Sequence, residues 1–188
     1  MAPKLLGQLL VRRLDGGEVL MGRIVECEAY QEDDPASHSY GGIRDRTKVM
    51  FGRPGQLYVY LSYGVHWCCN VVTGDEGEGS AVLLRAVEPL QGLDQMRERR
   101  PGIVNDRLLC AGPGRLTQAF DIRKEHNGVD LVTNNDLWLA EGPGVARADI
   151  EAGTRVGLTV AHEKDWRFRE RGSRYLSRGH VSGPSRGL

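Results

Sequence analysis

Two glutamates stand two positions apart in the segment GRIVECEAY, residues 22–30. The segment has the composition of a β-strand, and side chains alternate between the faces of a strand. Glu26 and Glu28 are therefore predicted to share one face with Ile24 and Tyr30, while the intervening residues form the core face. Two carboxylates on one side of an otherwise apolar strand either belong to a solvated surface or do acid–base chemistry.

The position of the two acids limits that chemistry. Glycoside hydrolysis by a carboxylate pair requires the acids to flank the scissile bond, whereas Glu26 and Glu28 would approach a substrate from the same side. The sequence has no recognisable signature of a Ser or Cys nucleophile. A single carboxylate that activates water fits better, with His38 in the following loop and nearby arginines as further polar groups.

Aromatic residues are scarce, at 6% of the chain, yet three tyrosines fall within six positions. Tyr58 and Tyr60 are predicted to share a strand face, which is typical of core packing. Tyr63 precedes Gly64 at a predicted hairpin tip. An exposed aromatic there would form a stacking surface or a wedge; the alternative is a tip that folds back onto the sheet.

The segment AGPGRL, residues 111–116, carries a weaker signal. Backbone N–H groups at a helix start, followed by Arg115, can bind an anion. The segment matches neither a Walker loop nor a Rossmann fingerprint. Taken alone, Gly-Pro-Gly is more typical of a simple helix break.

Composition places the chain among ordinary globular proteins. Its 188 residues are 27% charged and 40% hydrophobic, which predicts a single domain over 1–188 with a full core. Apolar runs are too short for a bilayer and the N-terminus lacks a signal-peptide pattern, so we expect a cytoplasmic protein without membrane contact. Four cysteines without a C-x-x-C pair favour buried free thiols over disulfides or zinc.

Basic residues are clustered although the net charge is zero. A neutral protein can still present one basic face to nucleic acid, whereas the alternative is that the charges solvate the surface. The clusters comprise Arg44, Arg46, Lys48 and Arg53; Arg97, Arg99 and Arg100; and Arg167, Arg169, Arg171, Arg174, Arg178 and Arg186 of the tail.

Periodicity and turn signals predict an α+β fold with a mainly antiparallel sheet flanked by helices. A hairpin is predicted over 8–30, a long loop over 31–46, and a second hairpin around Tyr63 and Gly64. A further strand follows over 80–89, then a helix over 93–100 and two short helices broken at 112–114. Late strands are predicted over 136–143 and 154–161, and the last dozen residues are expected to fray.

The combination of these segments resembles the alkyladenine (3-methyladenine) DNA glycosylase family. The resemblance covers most of the chain in family order and is highly specific as a set. It is carried by LLVRRL, GRIVECEAY, DPASHS, VMFGRPGQLYVYLSYGVHWCCNVV, AVLLRAVEPLQGL with MRERR, GPGRLTQAF and RVGL.

The resemblance implies one domain on a curved antiparallel sheet, acting as a monomer without cofactor or metal. The implied activity is that of a monofunctional DNA glycosylase in base excision repair. Such an enzyme flips alkylated or deaminated purines from double-stranded DNA and hydrolyses the N-glycosidic bond. In a bacterium it would associate with the nucleoid.

Residue roles carry over by motif. Glu28 matches the general base that activates water, while Arg85 and the backbone carbonyl of Val156 match the groups that hold this water. No catalytic role transfers to Glu26, which we interpret as a structural hydrogen-bonding acid or a surface acid.

Further positions match the base pocket and the DNA contacts. The pocket walls of the family correspond to Tyr30, His38 and Tyr60. The positions that hydrogen-bond the edge of the base correspond to Ala36 and His38. The residue that crowds the amino group of guanine corresponds to Asn70. Tyr63 matches the wedge, and Met50 lies in the segment beside it. DNA-backbone contacts are expected at Arg46, Gly114 and Arg115, although the loop at 44–47 departs from the usual family pattern.

Two other classes of function are compatible with these features. One is a non-catalytic module that binds distorted or damaged DNA, and the other is an enzyme that acts on a different nucleoside-like substrate. Release of free base from damaged duplex DNA distinguishes the glycosylase from both.

Overall fold

The computed structural model describes residues 1–178. Residues 179–188, which include Arg186 and most of the segment expected to fray, lie outside the described part. Ser177, at the start of that segment, is buried. Within the described residues, none of the helices has the length and apolar content of a membrane-spanning helix.

Eight strands form one sheet in which every pairing is antiparallel. Together with three short helices it confirms the predicted α+β class. The strands are β1 (Leu9–Arg13), β2 (Val19–Tyr30), β3 (Leu57–Ser62), β4 (His66–Val72), β5 (Ala81–Gln91), β6 (Leu137–Ala140), β7 (Ile150–Gly153) and β8 (Arg167–Glu170). The helices are α1 (Ala2–Leu5), α2 (Leu93–Arg99) and α3 (Pro113–Ala119), with 3-10 turns at Lys48–Phe51, Asp106–Leu108, Lys124–His126 and Arg147–Asp149.

Strand β2 is the centre of the sheet because three strands pair with it. Its first half pairs with β1, its residues Glu26–Glu28 pair with β8, and β5 runs along its other edge. The path β3-β4-β5-β2-β1-β6 then gives a curved sheet. Helix α3 contacts β4 and β5, and α2 contacts α3 and β2.

A β-bulge in β2 overturns the predicted alternation of its side chains. The register to β5 shifts on both sides of Glu26. Ile24 and Cys27, three positions apart, both belong to the main hydrophobic core. An extra residue in one strand breaks the two-residue period, so the prediction that Ile24 shares a face with Glu26 is wrong.

One of the two predicted late strands is confirmed, because β6 (Leu137–Ala140) lies within 136–143. Residues 154–161 form no strand, because Gly157 has a φ of +77° and Arg155 is drawn into a buried ion pair. Strands β7 and β8 were not predicted. Strand β8 is short and rich in charge, and it is held by pairing with β2 and β7 more than by its own composition.

Two hydrophobic clusters lie within the described residues. The main one packs the sheet against the helices and includes Leu20, Leu84, Leu116 and Phe120. A smaller one contains Met50, Phe51, Tyr58, Val72 and Ala81. All four cysteines are buried with free thiols, as predicted.

Candidate active site

One cavity of about 850 Å³ gathers most of the residues expected to act together. They come from strands β2 to β5, from the loop after β2, and from the segment after β7. Those lining it are Glu28, Tyr30, Ala36, His38, Arg46, Met50, Tyr60, Tyr63, Asn70, Arg85 and Val156. Gly114 and Arg115 are absent from this lining, although their neighbour Pro113 contributes to it.

Glu28 is fully buried, with 0% exposure, and three groups contact its carboxylate. The backbone N–H of Val156 donates to Oε1 at 2.8 Å, and Arg85 Nη1 lies 3.2 Å from the same oxygen. The Tyr30 hydroxyl donates to Oε2 at 2.9 Å. Two donors and a cation thus offset the cost of removing this charge from water.

The two oxygens of Glu28 differ in their remaining capacity. A carboxylate oxygen accepts about two hydrogen bonds. Oε1 already meets Val156 and Arg85, while Oε2 meets only Tyr30 among the described residues. Oε2 therefore retains an acceptor position that no described residue uses.

Arg85 links Glu28 to the second glutamate. Its Nε donates to Glu26 Oε1 at 3.1 Å, on the other side of the guanidinium from Glu28. Glu26, also 0% exposed, accepts further from Arg167 Nε at 2.6 Å and from the backbone N–H of Ser177 at 2.6 Å. Of the two interpretations of Glu26, the surface acid is wrong, and the structural hydrogen-bonding acid is confirmed.

The cavity walls are aromatic. Tyr58 and Tyr60 stack with centroids 5.6 Å apart, so they share a face as predicted. The His38 ring lies edge-on to Tyr60 at 4.4 Å, and its Nδ1 is 3.0 Å from the Tyr58 hydroxyl. Burial raises the pKa of Tyr58 to about 12, so this hydroxyl keeps its proton at neutral pH.

His38 favours the neutral form. Partial burial lowers its pKa, and the positive charge of Arg46 lowers it further. A neutral imidazole has one donor and one acceptor nitrogen. His38 can therefore engage Tyr58 with one nitrogen and offer the other to a molecule in the cavity.

Asn70 is held in the cavity wall. Its Nδ2 donates to the carbonyl of Tyr58 on the paired strand at 3.1 Å. Met50 also lines the cavity but is only 3% exposed and packs in the smaller hydrophobic cluster. Met50 is thus a wall residue in this structure and does not project from the surface.

Tyr63 projects fully from the β3–β4 hairpin, with 92% of its surface exposed. The tip does not fold back onto the sheet. Tyr63 has a φ of +50°, followed by Gly64 at +69°. A left-handed conformation costs a bulky residue roughly 1–2 kcal/mol, and such strain concentrates at functional positions.

Sequence reasoning missed a buried ion pair beside the cavity. Arg155 pairs with Asp34, and neither side chain is exposed. Arg155 also donates to the carbonyl of Ala29 at 3.0 Å, and its guanidinium lies 4.6 Å over the Tyr30 ring. The pair ties the loop after β2 to the segment that carries Val156. Both residues lie in motifs that carried the resemblance, but nothing in the sequence marks either charge as buried.

The basic clusters differ in whether their charges are buried, paired with acids or exposed. Arg97 and Arg169 form ion pairs with acidic neighbours, while Arg100 and Arg167 are buried. The cluster at 44–53 is exposed, has no ion pair among the described residues, and contributes Arg46 to the cavity lining. This exposed cluster comprises Arg44, Arg46, Lys48 and Arg53.

Comparisons with known proteins agree with this site. A family model described as methylpurine-DNA glycosylase (MPG) matches residues 1–174. A protein from Burkholderia cenocepacia (strain HI2424) is 48% identical over 179 residues, covering 94% of this chain and 86% of that protein. One from Nitrosospira multiformis (strain ATCC 25196 / NCIMB 11849 / C 71) is 46% identical over 173 residues, covering 90% and 88%.

Both relatives carry the name "Putative 3-methyladenine DNA glycosylase", as does one from Rhodopseudomonas palustris (strain ATCC BAA-98 / CGA009). That third protein is 49% identical over 177 residues, covering 94% of this chain and 82% of its own length. The family match spans nearly all of the described chain and the relatives agree in name. The chain therefore belongs to the methylpurine-DNA glycosylase family of enzymes, which hydrolyse the N-glycosyl bonds of bases in DNA.

Proposed function

We propose that this enzyme extrudes a damaged purine from double-stranded DNA into the cavity and hydrolyses its glycosidic bond with water activated by Glu28. The observation that carries the proposal is the buried carboxylate of Glu28 in an aromatic-walled cavity of about 850 Å³. Chemistry on a base requires access that the stacked duplex does not offer.

Glu28 acts as general base in this proposal. A water hydrogen-bonded to Oε2 transfers a proton to the carboxylate while its oxygen attacks the anomeric carbon of the sugar. The bond from that carbon to the base nitrogen breaks, and the base leaves with the electron pair. Arg85 and the backbone carbonyl of Val156 are the proposed partners that orient the water, as the family resemblance implies.

The cavity walls are proposed to select the base. Tyr30, His38 and Tyr60 would stack on it, a contact worth roughly 1–3 kcal/mol per base. Ala36 and His38 would hydrogen-bond its edge, and the neutral state of His38 leaves one ring nitrogen for this purpose. Asn70, held by its bond to Tyr58, would crowd the exocyclic amino group of normal guanine. Both alkylated and deaminated purines are proposed substrates.

Contacts outside the cavity are proposed to hold the duplex. Tyr63 would occupy the space that the extruded nucleotide leaves, with Met50 supporting the cavity wall behind it. Arg46 is exposed and would contact phosphates, as would Gly114 and Arg115 at the start of α3. A monomer is the proposed active form, as the family resemblance implies.

Replacement of Glu28 by Gln tests the proposal. The amide keeps the size and polarity of the side chain but cannot accept the proton. We expect single-turnover base release to fall about 10²–10⁴-fold, while binding of lesion DNA stays near wild type. The loss should be larger for neutral hypoxanthine than for cationic 7-methylguanine, since a cationic base leaves more readily.

Glu88→Gln is the matched control. Glu88 is a partly buried carboxylate on β5 that pairs with Arg23 at 2.8 Å and does not line the cavity. Its loss should lower the melting temperature at most and leave the excision rate unchanged. Hypoxanthine release at the wild-type rate by Glu28→Gln would remove Glu28 from the mechanism.

A further inference from the structure

We propose that Ser177 is a positioning residue for Arg85, and that it works together with Glu26. This inference rests on the proposed roles of Arg85 and Glu28. Ser177 lies beyond residues 1–174, which the family model matches.

The hydroxyl of Ser177 is held in one orientation. It donates its single proton to Glu26 Oε1 at 2.9 Å. The oxygen then accepts two hydrogen bonds from Arg85, one from Nη2 at 3.1 Å and one from Nε at 3.3 Å. A hydroxyl has one donor and two acceptor sites, so all of them are used.

These contacts fix the guanidinium of Arg85. Nε is bound by Glu26 and Ser177, and Nη2 is bound by Ser177. Nη1 is the nitrogen left to meet Glu28, at 3.2 Å. Because the guanidinium is planar, anchoring two of its nitrogens determines where the third points.

The surrounding charges balance without Ser177, so the hydroxyl is not needed for neutrality. Glu26 and Glu28 carry two negative charges, and Arg85 and Arg167 carry two positive charges. Glu26 alone could pair with Arg85 in several orientations. The hydroxyl of Ser177 selects the one in which Nη1 faces Glu28.

Ser177→Ala isolates this role. The backbone N–H of Ser177 donates to Glu26 Oε2 at 2.6 Å, and this bond survives the substitution. The substitution removes the hydroxyl together with its bonds to Glu26 Oε1 and to Arg85. We expect single-turnover excision to fall about tenfold to a hundredfold, the scale on which small misplacements act. Binding of lesion DNA should not change, and Ser177→Thr, which keeps a hydroxyl, should restore most of the rate.

Two further variants separate positioning from stability. Thr117→Val removes another buried hydroxyl, which donates to the carbonyl of Trp67 at 2.7 Å. It should lower the melting temperature without slowing excision. Arg85→Lys keeps the charge but lacks the planar fork. In that background Ser177→Ala should cause little further loss of rate, since the group it positions is gone.

The excision rates of these variants test the positioning role of Ser177 separately from the catalytic role of Glu28. Wild-type excision by Ser177→Ala, with Glu28→Gln still slow, would overturn this inference and leave the proposed function standing. A full additional loss in the Arg85→Lys background would also overturn it, because Ser177 would then act independently of Arg85. Wild-type excision by both Glu28→Gln and Arg85→Lys would overturn the inference and the proposed function together.

Discussion

Glu26 and Glu28 are equally buried on β2 but differ in what surrounds them. Glu26 is enclosed by Arg85, Arg167 and Ser177, so its hydrogen-bonding capacity is directed into the protein. Glu28 lines the cavity, and its Oε2 accepts a hydrogen bond only from Tyr30 among the described residues. The difference in surroundings supports one base and one structural acid, although the two residues look alike in the sequence.

At the residue scale, we predict that the enzyme is monofunctional. A lyase step requires an amine that forms a Schiff base with the sugar. The chain has four lysines, and Lys124 lines the cavity. Lys124 is exposed in the 3-10 turn Lys124–His126, whereas Glu28 is buried, and Lys124 is therefore the amine to test.

Incubation with damaged duplex should leave an intact abasic strand until alkali is added. Borohydride should trap no covalent adduct between protein and DNA. A trapped adduct that disappears with Lys124→Ala would contradict the prediction and identify the amine.

At the element scale, the β3–β4 hairpin presents a strained aromatic that contributes nothing to the core. Tyr63 is exposed, and replacing it should leave the melting temperature nearly unchanged. Tyr63→Ala should instead weaken extrusion by the lost stacking, on the order of 1–3 kcal/mol. Single-turnover excision on a fully paired lesion measures this effect.

The defect should shrink on duplexes in which the lesion lies opposite a gap, because less stacking must then be replaced. Val65→Ala, at another exposed apolar residue of the same tip, is the control and should have a smaller effect. An equal loss for Tyr63→Ala on every duplex would place Tyr63 in the chemical step and not in extrusion.

At the scale of the whole molecule, the zero net charge conceals an uneven distribution. Segment 44–53 carries three exposed arginines and an exposed lysine, of which Arg46 lines the cavity, whereas Arg97 is neutralised by Asp94 and Asp106. DNA affinity should therefore fall with salt, since contacts to phosphates release counterions. Titrations of lesion DNA at several salt concentrations measure the slope.

Arg46→Ala should reduce that slope by about one, and Arg97→Ala should leave it unchanged. A salt-independent affinity would show that the exposed basic cluster does not face the DNA.

Local patterns predicted much of this protein. The two hairpins, the strand β5, the helix α2 and the break before α3 were all predicted from turn residues and periodicity, because these signals act over a few neighbouring residues. Motif order was sufficient to indicate the glycosylase family and to nominate Glu28, Arg85 and His38 for one site, and the cavity brings all three together.

Only the tertiary structure decided how the two glutamates differ. A bulge in β2 breaks the alternation that the sequence predicts, and β8 then covers Glu26 through pairing at long range. Arg155, Arg167 and Ser177 lie more than 120 residues from their acidic partners, and each has the sequence appearance of an ordinary surface residue. Burial and ion pairing depend on which distant segments meet. Exposing a charge costs little free energy, whereas burying it without a partner costs much. Which of the two a charged residue does therefore cannot be recognised from its neighbours in the sequence.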